Sequence, residues 1–166
     1  MTTVIKFMFT TIAIVMGYAA LLTSANAEPT KGELRNMVTE RLYAAYPNCT
    51  SEKRNSLGDH MWCTDRVLVL LDDELNEVYK DVIHKFKLLD NKRSKIRNVQ
   101  RQWIKFRDEE CLYEDSTDGM LSSSKCVLNK IALSIHYLTR LKQIQFDADG
   151  LKAIDDVIAD YASAVS

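Results

Sequence analysis

Four cysteines carry the most distinctive chemistry in the sequence, because thiols in proteins either join in disulfides or bind metal ions. They stand at Cys49, Cys63, Cys111 and Cys126. His60 is close enough to Cys63 along the chain to suggest that the two could bind zinc, but the Cys-x-x-Cys repetition of structural zinc modules is missing. An even number of cysteines in a chain with an export signal predicts two disulfides and no metal site.

Four cysteines can pair in three ways. Polar residues fill much of the interval from Cys49 to Cys63, and Gly119 and a run of serines occupy the interval from Cys111 to Cys126. Such compositions are typical of loops, and the chain between Cys63 and Cys111 lacks them. We therefore expect Cys49 to pair with Cys63 and Cys111 with Cys126. A bond between Cys63 and Cys111 would refute this pairing, although a long helical hairpin would still be possible, because these two cysteines would flank it at the same end.

The histidines and carboxylates do not form a recognisable catalytic arrangement. The sequence contains no Gly-x-Ser-x-Gly, His-Glu-x-x-His or phosphate-binding glycine motif. His60, His84 and His136 are scattered, and Asp72 and Asp73 point apart because they are neighbours on a predicted helix. We expect a protein that is not an enzyme and that needs no cofactor.

The first 27 residues have the pattern of a secretory signal peptide. Lys6 precedes an apolar run over residues 7–22, and the segment ends in Ala25, Asn26 and Ala27, a small-x-small cleavage site. The sequence therefore predicts cleavage after Ala27, release into the periplasm or the medium, and no stable membrane anchor afterwards. Residues 28–166 would then form a single domain.

The charge balance of residues 28–166 argues against a nucleic-acid ligand. These residues carry 21 basic and 23 acidic side chains, whereas a dedicated nucleic-acid-binding domain has a strong positive excess. A chain of this length buries about two thirds of the surface that its unfolded form exposes, so it can build a core without a metal. We expect no nucleic-acid partner.

Helices must make up most of this domain. The chain has only two prolines and five glycines, and neither occurs between Gly58 and Gly119, so this segment is predicted to be helical. Apolar residues recur along it at steps of three and four, which predicts one helix capped by Thr64 and a second helix beyond Asp90 and Asn91. The fold class is therefore all-α, with these two helices as a long antiparallel hairpin in a small disulfide-stapled bundle.

Three shorter helices complete the predicted bundle. The spacing of apolar residues predicts a helix over residues 33–46, a helix that Ser124 caps and that runs to Ile144, and a short terminal helix over residues 151–161. Residues 114–124 are expected to form a loop between the hairpin and the helix after Ser124.

The hairpin contains two motifs that mix polar residues with the apolar stripe. The first runs from Leu71 to Tyr79 as Leu-Asp-Asp-Glu-Leu-Asn-Glu-Val-Tyr, and the second runs from Gln100 to Asp108 as Gln-Arg-Gln-Trp-Ile-Lys-Phe-Arg-Asp. With a cysteine pair before them and the last two cysteines after them, these motifs resemble the LprI-type lysozyme-inhibitor family. The resemblance implies a function in lysozyme inhibition. Its family-motif residues here are Leu71, Leu75, Asn76, Tyr79, Gln100, Trp103 and Arg107.

Helical geometry gives the motif residues a structural role. Gln100, Trp103 and Arg107 recur at steps of three and four and so share one face of their helix. In an antiparallel hairpin, Asn76 and Tyr79 come opposite this face. We expect a buried polar ladder between the two helices, with Trp103 in the core and Arg107 paired with a nearby carboxylate. A ligand site at the same residues is the alternative.

The hairpin also separates charge between its two ends. Residues 85–107 include nine bases and one acid, and residues 108–118 include six acids and no base. The basic end is expected to be neutralised by Asp147 and Asp149. The acidic end lies beside Cys111, and a loop tied by a disulfide is suited to attract a strongly basic partner such as a lysozyme. The candidate partner-binding residues are Glu109, Glu110, Glu114, Asp115 and Asp118.

Three functions remain open from the sequence. The first is an exported helical interaction protein that resembles LprI-type inhibitors and inhibits a lysozyme by direct binding. The second is an envelope-stress or immunity-type binding module with another partner. The third is a small-ligand-binding helical bundle, for which the sequence offers no Glu-x-x-His arrangement. The resemblance to LprI-type inhibitors favours the first, and the acidic disulfide loop and its protein partner support it secondarily.

Overall fold

The computed structural model describes residues 28–165 apart from 51, 52, 54, 55 and 119, and it describes the others of residues 112–123 by their backbone alone. Residues 1–27, which contain the predicted signal peptide, lie outside the described residues. Every regular element in the described part is helical, which confirms the predicted all-α class. No described helix combines the length and the apolar character needed to cross a membrane.

The described part of the chain forms five α-helices. They are α1 (Lys31–Ala45), α2 (Leu57–Lys85), α3 (Asp90–Asp118), α4 (Met120–Gln143) and α5 (Ala148–Ser163), and a 3-10 turn at Pro47–Cys49 follows α1. α1 and α5 agree with the predicted short helices to within a few residues.

A pair of capping side chains determines where α2 begins. Ser56 Oγ accepts from the Asp59 N–H at 3.1 Å, while the Asp59 carboxylate accepts from the Ser56 N–H at 3.0 Å. This reciprocal arrangement starts the helix at Leu57. The prediction that Thr64 caps α2 is wrong. The Thr64 hydroxyl lies inside the helix, where it donates to the His60 carbonyl at 2.8 Å.

The central element of the bundle is α4. It packs most extensively against α2 and α3 and also contacts α1 and α5, whereas the backbones of α2 and α3 hardly approach one another. Five consecutive residues of α4, Ile131 to Ile135, are buried, as expected of a helix with neighbours on most sides. α2 and α3 do follow one another as a hairpin through a short turn at residues 86–89. They are held together mainly through α4, which packs against both of them.

The core lies where α4 meets its neighbours. Its largest buried side chains are Phe86 from the turn after α2, Trp103 from α3, Tyr137 from α4 and Tyr161 from α5. The Tyr137 and Tyr161 rings stack with their centroids 5.0 Å apart, which joins α5 to α4. The predicted apolar stripe of α5 is buried except at Leu151, which is 42% exposed.

The predicted loop over residues 114–124 is wrong. α3 continues to Asp118 and α4 begins at Met120, so Ser124 lies inside α4 and does not cap it. A serine costs a helix only about 0.5 kcal/mol relative to alanine. Helices stabilised by tertiary contacts tolerate such a cost, because most helical stability in proteins comes from those contacts.

A lysine of α2 caps the end of α4. Lys85 Nζ donates to the carbonyl oxygens of Leu141 at 3.3 Å and Lys142 at 2.5 Å, and also to that of Ile144. Carbonyls in the last turn of a helix lack intrahelical donors and lie at the negative end of the helix dipole, so an ammonium group there is favourable. Burial lowers the pKa of Lys85. The contact fixes the end of α4 against the end of α2.

Gly150→Ala is expected to destabilise the fold by about 1–3 kcal/mol. Gly150 lies in the first turn of α5, where its N–H donates to Asp147 Oδ1 at 2.7 Å, and a Cβ atom there would lie 1.8 Å from the Gln145 carbonyl oxygen. The connection between α4 and α5 would have to shift. Gly58→Ala is the matched control, because its Cβ would meet only Ser56 Oγ at 3.6 Å. Thermal unfolding followed by circular dichroism should show a lower midpoint for the first variant, and equal midpoints would contradict the close approach.

Candidate functional site

Both predicted disulfides are present. Cys49 pairs with Cys63 with Cα atoms 5.7 Å apart, and Cys111 pairs with Cys126 with Cα atoms 5.5 Å apart. All four cysteines are buried and none is free. The first disulfide fastens the 3-10 turn to α2, and the second fastens α3 to α4 near the end where these helices follow one another.

An open groove of about 430 Å³ lies between α2 and α3. Six of the seven family-motif residues line this groove, and the seventh, Leu71, is completely buried. The residues that line it are Asp72, Leu75, Asn76 and Tyr79 from α2, and Arg97, Gln100, Arg101, Trp103, Ile104 and Arg107 from α3. The motifs therefore converge on one surface feature.

The predicted buried polar ladder across this groove is wrong. Asn76 is exposed, and its amide donates to Asp72 Oδ2 on its own helix at 3.2 Å. Gln100 is buried, but its partners come from α4 and α5. The reason is that α2 and α3 both pack on α4 and hardly approach one another.

A buried hydrogen-bond cluster joins α3, α4 and α5 instead. The Tyr161 hydroxyl donates to Gln100 Oε1 at 2.9 Å and lies 2.6 Å from Ser134 Oγ, which also donates to Gln100 Oε1 at 3.3 Å. Burial raises the pKa of Tyr161, so the phenol keeps its donor proton. Sequence reasoning missed this cluster. The pattern that could have predicted it is a hydroxyl group, that of Ser134, on an otherwise apolar face of α4.

Trp103 lies beneath the groove, which confirms its predicted place in the core. It is 1% exposed, and its indole Nε1 donates to the Lys130 carbonyl of α4 at 3.0 Å. The Arg107 guanidinium lies over the indole ring, 5.0 Å from its centroid, and forms an ion pair with Asp108 at 2.6 Å. The predicted pairing of Arg107 with a nearby carboxylate is confirmed.

The α3 wall of the groove is cationic. Arg97, Arg101 and Arg107 line it, whereas the acid among the lining residues is Asp72 on the opposite wall. Arg97 and Arg101 are exposed, and neither forms an ion pair with any residue that the structure describes. The groove thus presents two arginines that are available to an anionic ligand.

The acidic segment, defined here as residues 108–118, lies at the end of α3 that is distant from the α2–α3 turn. Glu109 is exposed and 3.6 Å from Lys105, and Glu110 is exposed and forms an ion pair with Lys130 at 2.6 Å. Three other candidates have side chains outside the described residues, namely Glu114, Asp115 and Asp118. The backbone that carries all of them belongs to α3.

Two lysines at the basic end of the hairpin are neutralised by α5, but through a different residue from those predicted. Asp155 forms ion pairs with Lys92 and, at 3.3 Å, with Lys95. These two lysines lower the pKa of the Asp155 carboxyl. Asp147 instead caps α5, and Asp149 lies in the first turn of that helix.

The titratable side chains in the described residues form no group of three or more that could hold a metal ion. His136 is half-buried, and burial together with the nearby Arg140 lowers its pKa. Its imidazole is therefore neutral near physiological pH. Within the described residues, the cationic groove and the exposed acids Glu109 and Glu110 are surface features suited to binding charged ligands.

A family model described as lysozyme inhibitor LprI matches residues 49–143. This stretch is more than half of the chain and contains both disulfides, α2, α3 and α4. It therefore includes the groove and the acidic segment. No curated protein and no solved structure matches the chain significantly.

Proposed function

Because the chain belongs to the LprI family of lysozyme inhibitors, we propose that it is an exported helical protein that inhibits a lysozyme by binding it directly, without catalysing a reaction. The observation that carries this proposal is the match of the family model to the disulfide-stapled core from α2 to α4. An inhibitor of this kind binds best as a rigid body, because a rigid surface loses little entropy on association. Two disulfides and a core built around α4 support such rigidity.

Export is part of the proposal. Residues 1–27 have the composition of a signal peptide that is cleaved after Ala27. Disulfides form and persist in oxidising compartments such as the periplasm and the extracellular medium. Both features support an inhibitor that meets its partner outside the cytoplasm.

The acidic segment is the proposed contact with the lysozyme. It carries six acids and no base at the C-terminal end of α3, where the helix dipole disfavours negative charge. Glu109 and Glu110 pair with Lys105 and Lys130, but the helix dipole gives no stabilisation to the acids of the last turn. A strongly basic lysozyme would be attracted to them at long range, and the disulfide from Cys111 to Cys126 anchors the helix that carries them.

Neutralising three of these acids together, by Glu114→Gln, Asp115→Asn and Asp118→Asn, is expected to slow association with a strongly basic lysozyme about tenfold at low salt. Association of the wild type should slow as salt is added, and the triple variant should show a weaker salt dependence because its attraction is smaller. Stopped-flow association rates and the residual lysis of bacterial cell walls by the lysozyme measure both effects.

The matched control removes three exposed acids from α1, α2 and α5, by Glu40→Gln, Glu77→Gln and Asp156→Asn. It has the same net charge as the first variant and should inhibit like the wild type. If both variants lost inhibition equally, the effect would be due to net charge, which would contradict the acidic segment as the contact. Failure of the wild type to inhibit lysozymes of several classes would contradict the proposed function and point to a binding module with another partner.

A further inference from the structure

The residues that line the groove between α2 and α3 all lie outside the acidic segment. We propose that the groove binds an acidic peptide segment in an extended conformation, with carboxylates of the peptide paired to Arg97 and Arg101. This proposal does not depend on lysozyme inhibition, because it follows from the shape and charge of the groove.

Arginines form a row along the α3 wall. Arg93, Arg97 and Arg101 follow one another at steps of four residues, so they lie on the same face of the helix. Arg93 pairs with Asp90, but Arg97 and Arg101 have no ion-pair partner in the part of the chain that the structure describes. Like charges at this spacing destabilise a helix. Their repulsion is relieved when an anionic ligand pairs with both.

The spacing of these two arginines fits alternate side chains of an extended peptide. Four residues of an α-helix advance about 6 Å along its axis, and two residues of an extended strand advance about 6.6 Å. Two acidic residues that are two positions apart in the peptide would therefore lie opposite Arg97 and Arg101. The planar guanidinium binds a carboxylate through two hydrogen bonds at once, which makes arginine well suited to this recognition.

Apart from Asp72, whose carboxylate accepts from the Asn76 amide, the α2 wall offers neutral polar groups to the peptide backbone. The Asn76 amide nitrogen donates to Asp72, and its carbonyl oxygen remains available to accept from a peptide N–H. Tyr79 is half-buried, and its hydroxyl has no partner among the described residues. Leu75 and Ile104 supply apolar surface within the groove. Such groups are needed because the donors and acceptors of a bound peptide must be satisfied when they lose water.

The groove lacks the aromatic surface that a single-stranded nucleic acid would require. Such strands bind by stacking their bases on exposed aromatic rings. Trp103 is 1% exposed and is covered by Arg107, which leaves Tyr79 as the other ring among the lining residues. A peptide of alternating acidic residues needs no stacking surface, so the observations favour a peptide.

Fluorescence anisotropy with a labelled peptide of alternating glutamate and serine tests the proposal. The wild type should bind this peptide, and should bind the corresponding glutamine–serine peptide about tenfold more weakly or worse. The double variant Arg97→Gln, Arg101→Gln should lose a similar factor in affinity for the glutamate peptide. Its melting temperature should not fall, because the two charges that it removes repel one another.

Two further variants distinguish the groove from general surface charge. Arg35→Gln with Arg66→Gln removes two exposed arginines that do not line the groove, and this control should bind like the wild type. Asn76→Trp fills the groove without changing the charge and should strongly weaken binding. Asn76 is exposed, so the larger side chain leaves the core intact.

Equal affinity for the two peptides, or equal losses in the two double arginine variants, would overturn the proposal. Undiminished binding by Asn76→Trp would show attraction to surface charge outside the groove and would overturn it as well. Tighter binding of a single-stranded oligonucleotide that depends on Arg97 and Arg101 would make the groove a nucleic-acid site instead. Lysozyme inhibition by Arg97→Gln, Arg101→Gln should equal that of the wild type, so the two proposals can fail separately.

Discussion

Trp103→Ala is expected to lower the free energy of unfolding by about 3–5 kcal/mol. The indole is 1% exposed where α3 packs on α4, and its N–H donates to the Lys130 carbonyl at 3.0 Å. Truncation removes the buried ring and leaves a cavity beneath the groove. Because the groove is open to solvent and Arg107 lies over the ring, that side chain can occupy part of the space. This relaxation favours the lower part of the range, which urea unfolding followed by circular dichroism would measure.

The other tryptophan of the chain is the matched control. Trp62 is 48% exposed and contacts the Tyr46 ring edge-on at 5.8 Å, so Trp62→Ala should cost only about 1 kcal/mol. This variant also leaves Trp103 as the single tryptophan, and its fluorescence should be that of a buried indole. Unfolding of Trp103→Ala at the urea concentration of the wild type would contradict the place of Trp103 in the core.

Local patterns predict the features that depend on one helix at a time. Helical spacing alone puts Gln100, Trp103 and Arg107 on the face of α3 that lines the groove, and it predicts the burial of α5 up to Tyr161. The pairing of Cys111 with its neighbour in sequence is also correct, but for a different reason from the predicted loop. Two helices, α3 and α4, follow one another there and bring the cysteines together.

The central position of α4 cannot be predicted from the hairpin motifs. α2 and α3 each have an apolar stripe, and a stripe does not specify which helix covers it. The signal lies in α4 itself, where five consecutive uncharged residues, 131–135, are all buried. With α4 between its neighbours, Gln100 reaches Ser134 and Tyr161, which are 34 and 61 residues away along the chain. No local sequence pattern predicts hydrogen-bond partners that are so far apart along the chain.

Two residues of similar capping strength, Ser56 and Thr64, could begin α2. Thr64 and Ser56 are both followed by an acid, but Gly58 favours the later start, because a glycine costs a helix about 1 kcal/mol. In the structure Ser56 and Asp59 cap one another's backbone, and the bond from Cys49 to Cys63 holds the first turns of the helix. The reciprocal capping contacts and the long-range disulfide offset the helix-destabilising effect of Gly58.

Replacing both Cys111 and Cys126 by alanine is expected to lower the free energy of unfolding by about 3 kcal/mol. The cross-link spans 15 residues and restricts the unfolded chain, so its removal makes the unfolded state more favourable. The bond from Cys49 to Cys63 spans 14 residues, and its removal should cost nearly the same. Scanning calorimetry of the two double variants measures both losses, and a difference of several kcal/mol would show that contacts in the folded state outweigh this entropy.

The two disulfide variants should differ in function even where they lose equal stability. Cys111 and Cys126 anchor the part of α3 that carries the acidic segment, beside the ion pair between Glu110 and Lys130. In the proposed contact with a lysozyme, the last turns of α3 would lose more conformational entropy without this bond, so inhibition should weaken at temperatures where the variant remains folded. Loss of the disulfide between Cys49 and Cys63 should leave inhibition unchanged, because that disulfide anchors the start of α2 and not the acidic segment. Equal inhibition by both variants would place the lysozyme contact elsewhere on the bundle.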